Sequence, residues 1–137
     1  MPLDNTNIDA IIFDLGVVIL NLDFDAPERE FEKLGIDNFH MVYSKVVEGT
    51  LFKGFEIGAI SPKEFRNELR KILGSKLGDS EIDKAWNSML LDFPKPRIEL
   101  LKRLQANYRT FLLSNTNGIH YKYYNEKLKN EFGINEL

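Results

Sequence analysis

The feature that most constrains the fold is the apolar run from Ile8 to Val18, which carries one carboxylate, Asp14. The run is too short to span a membrane, and the residues just before Asp14 show no clear polar alternation. This pattern is typical of a strand in a parallel sheet that helices bury on both faces. A carboxylate after such a strand lies where open α/β sheets bind ligands, although Asp and Gly also form ordinary turns. The run therefore predicts an α/β fold and leaves two explanations for Asp14.

Composition narrows the class of protein. The 137 residues suffice for one domain with a real core, and the hydrophobic fraction of 43% is that of a globular chain. A net charge of -3 gives no general affinity for nucleic acid. The absence of cysteine excludes disulfides and thiol catalysis, and the polar N-terminus does not have the order of a signal peptide. We therefore expect a cytoplasmic protein, a monomer or homodimer, without nucleic-acid or membrane partners.

A long helical stretch follows the first strand. Residues 25 to 92 predict about four helices and no strand. Ser61, Pro62 and Glu64 predict a capped helix start, and Ser80 predicts another. The expected inner faces of these two helices are Phe65, Leu69, Ile72 and Leu73 in one, and Ile82, Ala85, Trp86, Met89 and Leu90 in the next.

A proline-rich break at residues 93–96 then leads into a helix and a second strand, Arg109–Leu113. This strand also ends at polar residues, 114–118, before a last amphipathic helix that Gly133 ends. The expected inner side of that helix carries Ile119, Tyr123, Leu128 and Phe132. The order strand, helices, strand, helix predicts parallel pairing. Because two strands cannot form a sheet that stands alone, we expect this chain to be part of a longer α/β domain.

The two strand ends predict a phosphoryl site. If the strands lie side by side, Asp14 meets Ser114 and Asn115 at one edge of the sheet. A carboxylate can attack phosphorus and form an acyl phosphate, which water hydrolyses. A hydroxyl, an amide and the N–H groups of a helix start bind phosphate oxygens, and the Gly16 carbonyl can help to hold Mg²⁺.

These residues also carry a family resemblance. The segments Phe13–Val18, Asp23–Phe24 and Leu113–Asn117 resemble the first two motifs of the haloacid dehalogenase (HAD) superfamily. The pairing of Asp-Leu-Gly with Ser-Asn-Thr-Asn is most similar to its sugar-phosphate phosphatase branch, which includes glucose-1-phosphatase-like proteins, and residues 56–65 resemble the cap of that branch.

The resemblance implies a Rossmann-like three-layer α/β/α core with a parallel sheet and a helical cap inserted after the first strand. Residues 1–20 and 93–137 would form part of the core, and residues 21–92 the cap. Asp14 would be the catalytic nucleophile and a magnesium ligand, and Gly16 would ligate Mg²⁺ through its carbonyl. Ser114 and Asn115 would bind the phosphate of a small phosphorylated metabolite such as a sugar phosphate.

Two departures from the family pattern limit this assignment. Most phosphatases of the superfamily have a second aspartate, a general acid and base, where Gly16 stands. Its absence favours a good leaving group, such as the anomeric oxygen of a sugar 1-phosphate. The family's third and fourth motifs, a lysine and an acidic pair, would lie beyond Leu137, so we expect this chain alone to be inactive.

The sequence leaves several alternatives open. Asp23 can act as an acid or cap a loop, and His120 can line the pocket or lie in a core. Thr116 and Asn117 can contact substrate or turn the chain, and the aromatic residues between 39 and 55 suit a cap core better than a substrate platform. Two other functions compete with the phosphatase: hydrolytic dehalogenation of a 2-haloacid, and a non-catalytic binding or regulatory role.

Overall fold

The computed structural model describes residues 7–137, except for the Val47 side chain, and shows two strands and seven helices within them. The polar N-terminus therefore lies mostly outside the described residues. The elements are β1 (Ala10–Phe13), α1 (Ala26–Lys33), α2 (Phe39–Glu48), α3 (Thr50–Glu56), α4 (Pro62–Leu73), α5 (Asp79–Asn87), α6 (Lys95–Gln105), β2 (Arg109–Leu112) and α7 (Gly118–Phe132). None of the described helices is both long and apolar enough to cross a membrane. The α/β class and the helical stretch between the strands are confirmed.

The strands pair in parallel, as their connection through helices predicts. Ala10 lies opposite Arg109, and Phe13 lies opposite Leu112. The prediction of burial on both faces is wrong for the described chain, since 66% of Ile12 and 54% of Phe111 are exposed. The described residues place α6 against β2, and they do not cover the face that carries Ile12, Phe111 and Leu113.

The chain divides into two compact units. The strand unit comprises the described part of Met1–Leu22 together with Leu91–Ser114 and Leu137, and the helical unit comprises Asp23–Leu90 and Asn115–Glu136. The helical unit thus contains α1–α5 together with α7, and the strand unit contains both strands and α6. The predicted domain boundaries stay a prediction.

The helical unit is built around the single tryptophan of the chain, Trp86. Its indole is 1% exposed and lies 5.1 Å, centroid to centroid, from Phe65. Phe31 and Phe39 stack at 4.3 Å, and Phe55 stacks on Phe65 at 4.2 Å. Most of the aromatic residues between 39 and 55 therefore form core, as expected from their helical spacing. Burying side chains of this size contributes about 1.5–3 kcal/mol each.

Two predicted inner faces are partly wrong. In α4, Phe65 and Leu69 are buried but Ile72 is 43% exposed. In α7, Tyr124 is buried and Tyr123 is 37% exposed, because the buried face of the helix continues from His120 through Tyr124 to Leu128 at intervals of four residues.

Helix starts differ in how well the sequence predicts them. Ser61 caps α4 as predicted: its Oγ accepts from the Glu64 N–H, and the Glu64 carboxylate accepts from the Ser61 N–H at 2.8 Å. Helix α5 begins earlier than predicted, at Asp79, with Gly78 as its N-cap. There the Glu81 carboxylate accepts from the Gly78 N–H, so Ser80 lies inside the helix and does not cap it.

We therefore expect Ser61→Ala to lower the free energy of unfolding by about 1 kcal/mol, because it removes the acceptor for the Glu64 N–H. Ser80→Ala is the matched control and should cost nothing, since alanine favours a helix interior. Urea unfolding of both variants measures the difference. Equal losses would contradict this assignment of the caps.

His120 is a buried titratable group of the helical unit. Burial lowers its pKa from 6.5 to about 4, so the neutral ring is the folded form at pH 7. Because the folded pKa lies below the unfolded one, the unfolded chain binds the extra proton between pH 6.5 and 4. Stability is therefore complete above pH 6.5 and falls as the pH approaches 4.

We expect acidification from pH 7 to 4.5 to cost the protein about 2–3 kcal/mol of unfolding free energy through His120 alone. His120→Phe keeps an aromatic ring but cannot titrate, so its stability should fall less over the same interval. Urea unfolding of both proteins at the two pH values tests this. Parallel losses in the two proteins would show that His120 is not the group responsible.

Candidate active site

The ends of β1 and β2 lie side by side. Beyond the paired residues, the Leu113 N–H donates to the Phe13 carbonyl at 2.8 Å, so the pairing continues to the last residue before each polar segment. Asp14 and Ser114 follow directly at the same carboxyl edge. The predicted meeting of the two strand ends is thus confirmed, whereas the roles of the residues there stay predictions.

Asp14 begins the connection after β1 and is exposed. Its Oδ1 accepts from the N–H of Leu15 at 2.7 Å, a contact that orients the carboxylate relative to its own backbone. Leu15, the next residue, is 4% exposed. The connection therefore buries Leu15 and leaves the Asp14 side chain exposed to solvent.

A tight turn follows Asp14. The Leu15 carbonyl accepts from the Ile19 and Leu20 N–H groups at 2.9 and 3.0 Å, and the Val17 N–H donates to the Leu20 carbonyl at 2.8 Å. Gly16 lies within this turn, close to Leu22. A Cβ at Gly16 would lie 2.9 Å from Leu22 Cδ1, so a larger residue there would require Leu22 to move. Leu22 thus packs where a second side chain of the motif would begin.

Val17 is strained in this turn. Its φ angle is 67°, the left-handed region that β-branched residues avoid, and its side chain is 61% exposed. The left-handed conformation costs an L-residue about 1–2 kcal/mol, and the exposed Val17 side chain offsets little of this by burial. Strain of this kind concentrates at functional sites.

Asparagine tolerates the left-handed conformation better than valine does. We therefore expect Val17→Asn to raise the unfolding free energy by about 1 kcal/mol. Val18→Asn, at the neighbouring exposed valine with ordinary backbone angles, should bring no gain. Thermal unfolding of the two variants compares them, and a Val17→Asn protein no more stable than the control would contradict strain at this position.

The second polar segment joins β2 to α7. Ser114 ends the part of the chain in the strand unit, and Asn115 begins the part in the helical unit. Two residues later, the Asn117 side chain caps α7 by accepting from the His120 N–H at 3.0 Å. Of the two alternatives for Asn117, the structure supports the turn into the helix. Asn117 is buried, which suits a cap better than a surface contact.

The sequence leaves Asp23 as a candidate acid and His120 as a candidate pocket residue. The Asp23 carboxylate accepts from Arg29 and from the Asp25 N–H, and the bond from the Arg29 guanidinium is the largest cause that lowers its pKa. A carboxyl whose pKa is lowered is a poor proton donor at neutral pH. His120 is buried in the helical unit, which agrees with the core alternative.

The donor set near Asp14 suits magnesium in part. Asp14 and Gly16 offer a carboxylate and a carbonyl, the hard oxygen ligands that Mg²⁺ prefers. Within residues 7–137, no group of three or more His, Asp or Glu side chains could hold a metal ion. Mg²⁺ commonly uses one or two carboxylates with substrate phosphate and water, so these two residues fit part of such a site.

Comparison with known proteins finds relatives of this chain among curated proteins and solved structures. No family model matches the chain. It is 32% identical over 110 residues to D-ribitol-5-phosphate phosphatase of Bacteroides thetaiotaomicron, a match that covers 80% of this chain and 53% of the relative. This chain therefore spans about half the length of that curated relative.

Solved structures agree with this comparison. An HAD family enzyme of Bacteroides thetaiotaomicron, in complex with magnesium and inorganic phosphate, is 38% identical with a TM-score of 0.80; the match covers 87% of this chain and 59% of that one. A predicted HAD-like family hydrolase of Porphyromonas gingivalis is 31% identical with a TM-score of 0.71, over 82% of this chain and 53% of that one. With the Asp14 motif and the Ser114 motif on neighbouring parallel strands, the chain belongs to the haloacid dehalogenase superfamily.

Proposed function

We propose that the full-length protein is a magnesium-dependent phosphatase of a small phosphorylated metabolite, a sugar or sugar-alcohol phosphate. The observation that carries the proposal is the pairing of β1 with β2, which places Asp14 and Ser114 at one edge of the sheet. The relative named for ribitol-5-phosphate and the related enzyme in complex with magnesium and phosphate support the substrate class and the metal. The location of the protein in the cytoplasm also stays a prediction.

In the proposed reaction, an Asp14 carboxylate oxygen attacks phosphorus, and the bond from phosphorus to the ester oxygen breaks. Ser114 and Asn115 hold the phosphate oxygens by donating hydrogen bonds. Water then attacks the aspartyl phosphate, which releases inorganic phosphate and restores the Asp14 carboxylate. Asp14 and the Gly16 carbonyl would hold Mg²⁺, whose charge offsets the charge of the phosphoryl group.

The leaving oxygen must take up a proton in the first step. Gly16 carries no acid, and the hydrogen bond from Arg29 lowers the pKa of the Asp23 carboxyl. We therefore assign this proton to water, which reaches the exposed Asp14 segment. The ester named in the curated relative is that of a primary alcohol, so an anomeric leaving group is not needed to explain substrates of this family.

Asp14→Asn should lower kcat in the full-length protein by roughly a thousandfold or more, because it removes the nucleophile. Asp9→Asn is the matched control, an exposed aspartate just before the same strand, and should keep full activity. A panel of sugar and sugar-alcohol phosphates with Mg²⁺ measures both variants.

Trapping gives an independent measure. Beryllium fluoride with Mg²⁺ mimics a phosphoryl group on a carboxylate, so it should inhibit and stabilise the wild type and Asp9→Asn but not Asp14→Asn. Persistent activity of Asp14→Asn would overturn the assignment of the nucleophile. A wild-type protein that hydrolyses no ester of the panel would overturn the proposed function, and activity that survives EDTA would overturn the role of magnesium.

A further inference from the structure

His120 is a buried histidine at the start of α7. It lies in the first turn of α7, and its backbone N–H is the group that the Asn117 side chain caps. A single residue, Thr116, separates Asn117 from Asn115, the predicted phosphate ligand that belongs to the same helical unit. The first turn of α7 therefore restricts where Asn115 can lie.

The His120 side chain ties this turn to α5. Its Nδ1 lies 2.9 Å from Oδ1 of Asn87, and its ring stacks on Trp86 with centroids 5.6 Å apart and planes 12° apart. Because the facing Asn87 atom is a carbonyl oxygen, which only accepts, Nδ1 carries the ring proton. His120, Asn87 and Trp86 are all buried, so water competes little with these contacts.

The hydrogen bond between His120 and Asn87 restricts the orientation of α7. Apolar packing, such as that of Ile119 in the core of the helical unit, also holds α7, but it is non-directional and permits small rotations of the helix. A buried hydrogen bond between two planar groups, with the imidazole stacked on an indole, permits far fewer. This hydrogen bond lies at the N-terminal end of α7, which Asn115 precedes in the chain.

We infer that His120 is a positioning residue for Asn115: its bond to Asn87 and its stacking on Trp86 fix the first turn of α7 and hence the backbone that carries this phosphate ligand. The inference rests on the proposed function. His120 contacts no reacting atom in this role, and it acts through the backbone of residues 115–117. Misplacing a binding group by about 1 Å is enough to cost up to roughly a hundredfold in rate.

Three variants of the full-length protein test the inference. His120→Phe keeps a ring for Trp86 and removes the donor to Asn87. His120→Asn keeps an N–H donor close to the position of Nδ1 and should restore part of the effect. Leu128→Ala is the matched control, since it removes a fully buried side chain from the same helix far from its first turn.

We expect His120→Phe to raise both KM and the inhibition constant of inorganic phosphate by about tenfold or more in the folded enzyme. His120→Asn should fall between His120→Phe and the wild type. Leu128→Ala should lower the melting temperature while leaving KM and the phosphate inhibition constant unchanged, which separates positioning from stability.

The outcomes are distinguishable from a failure of the proposed function. If the wild type hydrolyses phosphomonoesters and binds phosphate, but His120→Phe keeps both constants, the positioning role is wrong. The positioning role is equally wrong if Leu128→Ala shifts the two constants as much as His120→Phe does. A wild type without phosphatase activity and without phosphate binding would instead remove the proposed function on which the inference rests.

Discussion

The structure depends on one parallel pairing between segments that lie far apart in the chain. The bond from the Leu113 N–H to the Phe13 carbonyl closes a loop that contains the six helices α1–α6. Closing so long a loop costs entropy that a few backbone bonds do not repay by themselves. Compact packing of the intervening helices shortens the effective loop and so lowers this entropic cost.

Of the predicted site residues, Asp14, Gly16 and Ser114 lie in the strand unit, and Asn115 lies in the helical unit. Charged contacts strengthen the helical unit as well, since the Arg66 guanidinium donates two hydrogen bonds of 2.8 Å to Asp83 and so joins α4 to α5. The packing around Trp86 includes the stacked ring of His120 in the first turn of α7.

Sequence reasoning succeeded where the signal is local. The cap at Ser61, the end of α7 at Gly133 and the motif residues at the strand ends all depend on neighbours within a few positions. It failed where the answer depends on distant residues: which tyrosine of α7 faces the core, and whether Ile12 is covered. The partners of His120 could not be predicted either, because Trp86 and Asn87 lie on another helix and the residues near His120 in the sequence do not indicate them.

The single tryptophan has a practical consequence for spectroscopy of this protein. Trp86 lies wholly in the helical unit, and the strand unit contains no other indole. Tryptophan fluorescence, excited at the red edge of the tyrosine band, therefore monitors packing around α5 and α7. It does not report on the separation of β1 from β2. Agreement between that signal and circular dichroism during unfolding is consequently a direct measure of whether the two units melt as one cooperative body.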